Sequence, residues 1–257
     1  MKTDLIALTH YHGDHIFGLP GLLQTMHSLN RAEPLVLTGP EGLLQELSPL
    51  LRLAGRTCFE IRLLTLPPEG LLLSELVEGW PDGARLTAFP TRHRVPSQGY
   101  RFDLPRAGKF QPQKAQALGV PVALWKHLQK GETVEHGGVT FRPEQVLGTA
   151  RKGLRFVFSG DTAPCEALTQ NAAGADLFIC EGTYGENEQA ALAEEYGHMT
   201  FAEAARTARE AGVKALWLSH FSQRMENPAD FLPNAQAFFP GAICGQDGMR
   251  TVLKFEE

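Results

Sequence analysis

The sequence predicts an α/β protein built as two sheets covered by helices on both outer faces. Short apolar runs alternate along it with leucine- and alanine-rich stretches at helical spacing, the signature of strands interleaved with helices. Several of the runs finish at a residue able to bind a metal or move a proton. These residues are His10, Asp161, Glu181 and His220, with His93 shortly after the run that ends at Phe89. Active sites gather where strand ends meet loops in layered α/β architectures. No internal repeat or linker composition divides the 257 residues, so 1–257 reads as one domain with a substantial core.

Each element has its own signal. An opening strand over about 3–9 leads through a histidine-rich loop into a helix at about 19–29. Leu35 to Thr38 is a strand stopped by Gly39-Pro40, and 42–54 repeats leucines at helical spacing up to Gly55. Strands follow at 59–66 and 84–89, with turns between them at Pro67-Pro68 and Pro81-Asp82-Gly83. After a strand at 98–104 periodicity fades, and 105–131 carries only a short helix near 113–118. A long irregular stretch inside a compact domain is more often a functional arm than an accident. Structure resumes with a strand at 155–159 ending in Gly160-Asp161-Thr162, and Pro164 is placed to start a helix. A buried strand ends at Glu181, Thr200 to Glu203 is a capping box for a helix to Ala211, and the strand 215–219 ends at His220. The chain closes with a helix capped by Asn227, with Pro228 at its first position, and two short strands.

Composition narrows the function classes. No apolar run approaches the roughly 20 residues that span a bilayer, and no secretory leader is visible, so a cytoplasmic protein without a membrane partner is expected. Cys58, Cys165, Cys180 and Cys244 form no C-x-x-C pair and read as reduced thiols, several of them buried. Net charge is −5, which disfavours a polyanionic partner, but the segment 92–130 holds eight basic residues against Asp103 alone. Such local charge can attract a phosphate backbone even on an acidic molecule.

The richest motif is His10-Tyr11-His12-Gly13-Asp14-His15. Side chains alternate along an extended segment, so His10 and His12 face one cation, and Asp14 and His15 are left for a second. Imidazole and carboxylate together suit zinc, with manganese or iron as alternatives. Burying this set without a cation would leave polar groups unpaired at roughly 1–3 kcal/mol each. His27, His127 and His136 match no motif and are expected to face solvent.

His10-x-His12-x-Asp14-His15, followed by His93, Asp161 and His220 in that order, resembles the metallo-β-lactamase-fold hydrolases. More narrowly, the chain is similar to the ribonuclease Z family, which trims the 3′ end of precursor transfer RNA. That likeness rests on Gly18 to Leu23, Thr38-Gly39-Pro40, Ser159 to Thr162, Glu181-Gly182-Thr183, His198 and Ser219 to Ser222, and it covers essentially the whole chain. The resemblance implies an αββα sandwich of two mixed sheets with an inserted flexible, basic exosite arm over about 101–130. It implies two zinc ions: His10, His12 and His93 on one, Asp14, His15 and His220 on the other, Asp161 bridging. A water shared by such ions can have its pKa lowered from about 15.7 to near 7, giving a hydroxide that attacks the scissile phosphorus. Asp14 would orient that water, and His198, held by Glu181, would protonate the leaving 3′ oxygen. Arg224 is a candidate phosphate contact, and Arg106, Lys109 and Lys114 of the arm would grip the transfer RNA. A homodimer, in which the arm serves the partner's site, is implied by the same likeness.

Family members begin with about a strand pair and a helix before the histidine loop, whereas Met1 stands nine residues before His10. Cation binding is therefore expected to survive better than turnover. The alternatives are a related phosphodiesterase acting on small or cyclic diesters, and a catalytically weak metal- and RNA-binding partner.

Overall fold

The computed structural model describes residues 3–256 and resolves into two compact units, residues 3–103 with 155–253 and residues 104–154 with 254–256. In the larger unit β1 (Leu5–Ala7), β2 (Leu35–Thr38) and β3 (Ile61–Leu64) form a parallel sheet in the order β1-β2-β3. The chain continues through β4 (Leu71–Leu72), β5 (Arg85–Pro90) and β6 (Gln98–Arg106), enters the second unit along β6, and there makes the hairpin β7 (Val134–His136) and β8 (Val139–Phe141). It returns along β9 (Arg151–Phe158) to β10 (Leu177–Glu181), β11 (Leu216–Ser219) and β12 (Ile243–Cys244). A second, mixed sheet has the order β12-β11-β10-β9-β6-β5-β4, parallel from β9 to β12 and antiparallel from β4 to β6.

Helices cover the outer face of each sheet. On the small sheet, Leu43, Leu47 and Ala54 of the helix Leu43–Ala54 recur at helical spacing and pack with Leu19, Leu23 and Met26 of the helix Leu19–Ser28 against Leu35 and Leu37. On the large sheet, the helix Phe201–Glu210 buries Phe201, Ala204, Ala205 and Ala208 against Phe178, Leu216 and Leu218. Alanines on that face let the helix axis approach the sheet closely. The expected capping box is formed: Thr200 Oγ1 accepts from the Glu203 amide, and Glu203 accepts from the Thr200 amide at 2.8 Å. No helix among the described residues is long and apolar enough to cross a membrane.

In the large sheet Ile179 pairs with Phe158 and Glu181 with Ser219, so the carboxyl ends of β9, β10 and β11 lie side by side. Asp161, Glu181 and His220 are delivered to one edge by that register. The small sheet adds His10 from the end of β1, where the Gln98 amide bonds the Thr9 carbonyl and the Tyr100 hydroxyl bonds that of Leu8.

Several elements differ from expectation. Between β3 and β5 the turns enclose β4 and a helical turn, Leu73–Leu76, anchored by Leu73 N to Ala84 O; four residues are too few to show a period. Pro164 does not start a helix. The segment before it is held extended because Ala163 N bonds Arg92 O, so the helix begins at Glu166 with Cys165 as its cap. Asn227 and Pro228 open a 3₁₀ turn, Pro228–Phe231, before the helix Leu232–Gln236. Of the two closing strands only β12 is present among the described residues; Arg106 instead donates to the Glu256 carbonyl and covers the Phe255 ring. His27 is half-buried with Nδ1 shielded and unbonded, not solvent-facing, whereas His127 and His136 are exposed. All four cysteines are free, but Cys180 alone is buried and Cys58 is exposed.

The stretch read as an irregular arm over 101–130 belongs, from residue 104 on, to the second unit, which continues to 154. Short helices at Pro112–Ala117, Trp125–Gln129 and Pro143–Val146 enclose their own core of Ala115, Val120, Leu128, Phe141 and Val146. Residues 104–154 carry eight basic side chains against three acidic ones. Lys109 and Lys114 are exposed.

Candidate active site

At the end of β1 the loop leads into a single helical turn, Gly13–Ile16, that carries Asp14 and His15. His10 is fully buried, and its Nε2 lies 3.1 Å from His12 Nδ1. His93, from the loop after β5, brings its Nε2 to 3.2 Å from the same His12 nitrogen. The outer nitrogens of two of these rings are tied to the protein: His93 Nδ1 donates to the Gly197 carbonyl at 2.8 Å, and His10 Nδ1 pairs with Thr9 Oγ1 at 3.1 Å. With its Nδ1–H committed to that carbonyl, the neutral His93 ring presents Nε2 as a lone pair to this cluster, the form a cation takes.

A second group adjoins the first. Asp161 Oδ2 lies 3.3 Å from His15 Nε2, 3.2 Å from His220 Nε2 and 3.7 Å from His10 Nε2, so this buried carboxylate faces ligands of both groups. Ligand atoms of His10, His12 and His93, of His10, His15 and Asp161, and of Asp14, His15 and His220 lie within 4.8 Å of one another in each triplet. The donor chemistry fits two divalent cations: convergent imidazole nitrogens, one shared carboxylate, and one exposed carboxylate, Asp14, at the open side.

The electrostatics of His10, His93 and Asp161 agree with that fit. Burial lowers the His10 pKa to about 3 and also depresses that of His93, so both rings are the neutral form a ligand needs. Burial favours the neutral acid at Asp161, but the hydrogen bond to His15 and the charge of His220 outweigh it and hold the pKa at about 2. The Asp161 hydrogen bond raises the His15 pKa.

Backbone conformation shows how tightly the edge is built. His220 adopts φ 57°, a left-handed conformation uncommon outside glycine, of the kind functional sites store as strain. Gly160 at φ 62° must be glycine, because a Cβ there would lie 2.7 Å from Thr9 Cβ. At Gly197, φ 72°, a Cβ would lie 2.9 Å from His93 Nδ1, the nitrogen that this residue's carbonyl orients.

Beside the ligands lies a proton-transfer pair. His198 Nδ1 donates to Glu181 Oε1 at 2.8 Å, leaving Nε2 free. Burial opposes charge on this ring, but the hydrogen bond and charge of Glu181 prevail and raise its pKa. Glu181, 1% exposed, also accepts from the amides of Thr162, Thr183 and Met199 and from Thr183 Oγ1. Thr183 Oγ1 donates to Glu181 and accepts from His220 Nδ1 at 2.9 Å, which turns His220 Nε2 toward Asp161.

The seven expected ligands therefore come together, with Glu181 and His198 adjoining them. Arg224 is exposed beyond His198, beside Tyr184. Arg92, counted in the basic run, is committed to Glu194, which it reaches with both terminal nitrogens. Arg106 is engaged by the carboxyl-terminal tail, and Lys109 and Lys114 lie on the second unit. Sequence reasoning gave no role to Thr9, Thr183 or Gly197; of these only Thr183 had a signal, its place in Glu181-Gly182-Thr183.

A family model described as a beta-lactamase superfamily domain matches residues 125–221. The chain is 41% identical to ribonuclease Z of Lachnospira eligens over 254 residues, covering 99% of this chain and 82% of that protein. It is 40% identical to ribonuclease Z of Methanosarcina acetivorans over 260 residues, with the same coverage. Among solved structures it resembles human tRNase Z, short form, with a TM-score of 0.59 and 23% identity over 96% of this chain and 77% of that one. It also resembles the metallo-beta-lactamase fold protein YhfI from Bacillus subtilis, with a TM-score of 0.60 and 19% identity over 94% and 73%. At those identities the structural likeness is one of fold, an αββα metallo-β-lactamase sandwich, whereas the identity shared with the curated proteins along nearly the whole chain is far higher. The chain belongs to the ribonuclease Z family.

Proposed function

We propose that this protein is a metal-dependent endoribonuclease that removes the 3′ trailer from precursor transfer RNA. The observation that carries this reading is the convergence of seven metal-ligating side chains beside a histidine whose far nitrogen is anchored on a buried carboxylate. His10, His12 and His93 would hold one divalent cation, Asp14, His15 and His220 the other, and Asp161 would lie between them. When bound, the cations supply Lewis-acid stabilisation of phosphoryl charge and an acidified water.

The chain's own residues do the rest. Asp14, whose side chain is 72% exposed, is open to solvent and orients the attacking water. His198, whose pKa Glu181 holds up, donates a proton from Nε2 to the 3′ oxygen as the P–O bond breaks. The products are a 3′-hydroxyl on the transfer RNA and a 5′-phosphate on the trailer.

Zinc suits the imidazole-rich set best. Exposed Lys109 and Lys114 on the basic second unit support an RNA exosite that reads shape and phosphate. A homodimer is supported by the apolar side chains left exposed outside the small sheet, Leu29, Leu44 and Leu53 at 60%, 61% and 75%. A cytoplasmic setting accords with four free cysteines.

The test is cleavage of a precursor transfer RNA with end-group analysis. Cleavage that is abolished by chelator and restored by zinc, leaving a 3′-hydroxyl, is expected. Hydrolysis of small diesters with no action on the precursor would overturn the reading in favour of a small-molecule phosphodiesterase.

A further inference from the structure

A cavity of about 380 Å³ opens just past His198. None of the seven metal ligands lines it, but Thr183 does, the residue whose hydroxyl lies 3.2 Å from His198 Nδ1. Its walls are aromatic and soft: Tyr184, Tyr196, Phe231 and Met225. The Tyr184 ring is half-buried and stands 6.3 Å from the His198 ring. The floor is closed by Phe231 packed on Gly185, where a Cβ would come within 2.3 Å of the ring.

One cation lines the cavity and a second stacks on Tyr196, one of its walls. Arg224 lines the cavity, is exposed, and forms no ion pair among the described residues. Arg94 lies with its guanidinium 5.3 Å from the centre of the Tyr196 ring, on the segment that supplies His93. An aromatic face beside a guanidinium without an ion pair is what a single unstacked nucleotide requires, with the base against a ring and the phosphate on arginine.

We propose that this cavity is a nucleoside subsite, and that it takes the base of the last nucleotide retained on the transfer RNA. It rests on the endoribonuclease reading above. His198 gives its proton to the 3′ oxygen that leaves, so the nucleoside bearing that oxygen lies against His198, and the cavity opens there on the side away from the ligands. Recognition is by stacking on Tyr184, so any base is accepted and an absent base is not. Tyr184 is here a substrate-binding residue and takes no part in proton transfer.

The test pairs two substrates with three proteins. One precursor carries an ordinary nucleotide 5′ of the scissile bond and the other an abasic site there. The natural protein should lose on the order of ten- to a hundredfold in kcat/KM on the abasic substrate. Tyr184→Leu should cleave both at the same reduced rate, and Tyr184→Phe, which keeps the ring, should restore the discrimination. Discrimination undiminished in Tyr184→Leu, or none in the natural protein, would overturn the proposal while leaving the nuclease reading intact. Fluorescence of 2-aminopurine at that position provides a readout apart from turnover. It should be quenched on binding to the natural protein and to Tyr184→Phe but not to Tyr184→Leu. If the natural protein cuts no precursor, the nuclease reading fails and this binding signal alone judges the subsite, with quenching equal in all three proteins counting against it.

Discussion

The buried carboxylate of Glu181 ties together three loops, accepting from Thr162, Thr183, Met199 and His198. An amide in its place must turn an NH₂ toward at least one of those donors. Glu181→Gln should therefore destabilise the protein by about 1–3 kcal/mol, measured by denaturant melts, and also lower kcat. In the proposed mechanism His198 has a different job, supplying a proton to a poor leaving group. His198→Ala should lower kcat on the natural linkage by about 10²–10⁴. A precursor with sulfur at the bridging 3′ position, whose thiolate leaves unassisted, should recover most of that loss, and an equal defect on both linkages would remove His198 from the donor role. At this scale the sequence was legible where the chemistry is local: His10, His12, Asp14 and His15 fall within six positions. The contacts of Thr183 and Gly197 were not, because they orient His220 and His93, partners 37 and 104 residues away in the chain.

The helix Phe201–Glu210 and the strands β9, β10 and β11 set the positions of Asp161, Glu181, His198 and His220. Thr200→Ala removes the cap and should cost about 1 kcal/mol. Phe201→Ala opens a void in the core beneath Gly182 and should cost about 3–5 kcal/mol, both read as shifts in denaturant midpoint. The buried strands were readable as apolar runs, and the capping box as a local side-chain and backbone pairing. Pro164 misled because its placement is decided by a bridge from Arg92 to Ala163, which no local pattern reports. β4 escaped notice because two residues in a sheet edge carry no period.

Across the whole molecule charge is divided, −5 in total, yet with eight basic side chains against three acidic over 104–154. Replacing Lys109, Lys114, Lys126 and Lys130 by Gln should weaken precursor binding for all sequences alike and reduce the salt dependence of log K by roughly 0.7–0.9 per lost phosphate contact. An unchanged slope would take the exosite away from this unit. That these residues form a compact body was illegible, because its helices run only four to six residues and its core is five buried side chains at scattered positions rather than one periodic face. Cations bound only by the folded chain should raise its stability by about 2.7 kcal/mol at a hundredfold excess over Kd. The most direct measurement of all is anomalous scattering at the zinc edge from crystals grown with zinc. Two peaks are expected, one bounded by His10, His12 and His93 and one by Asp14, His15 and His220, with Asp161 between. A single peak, or none with the side chains placed as they are here, would contradict a two-cation centre.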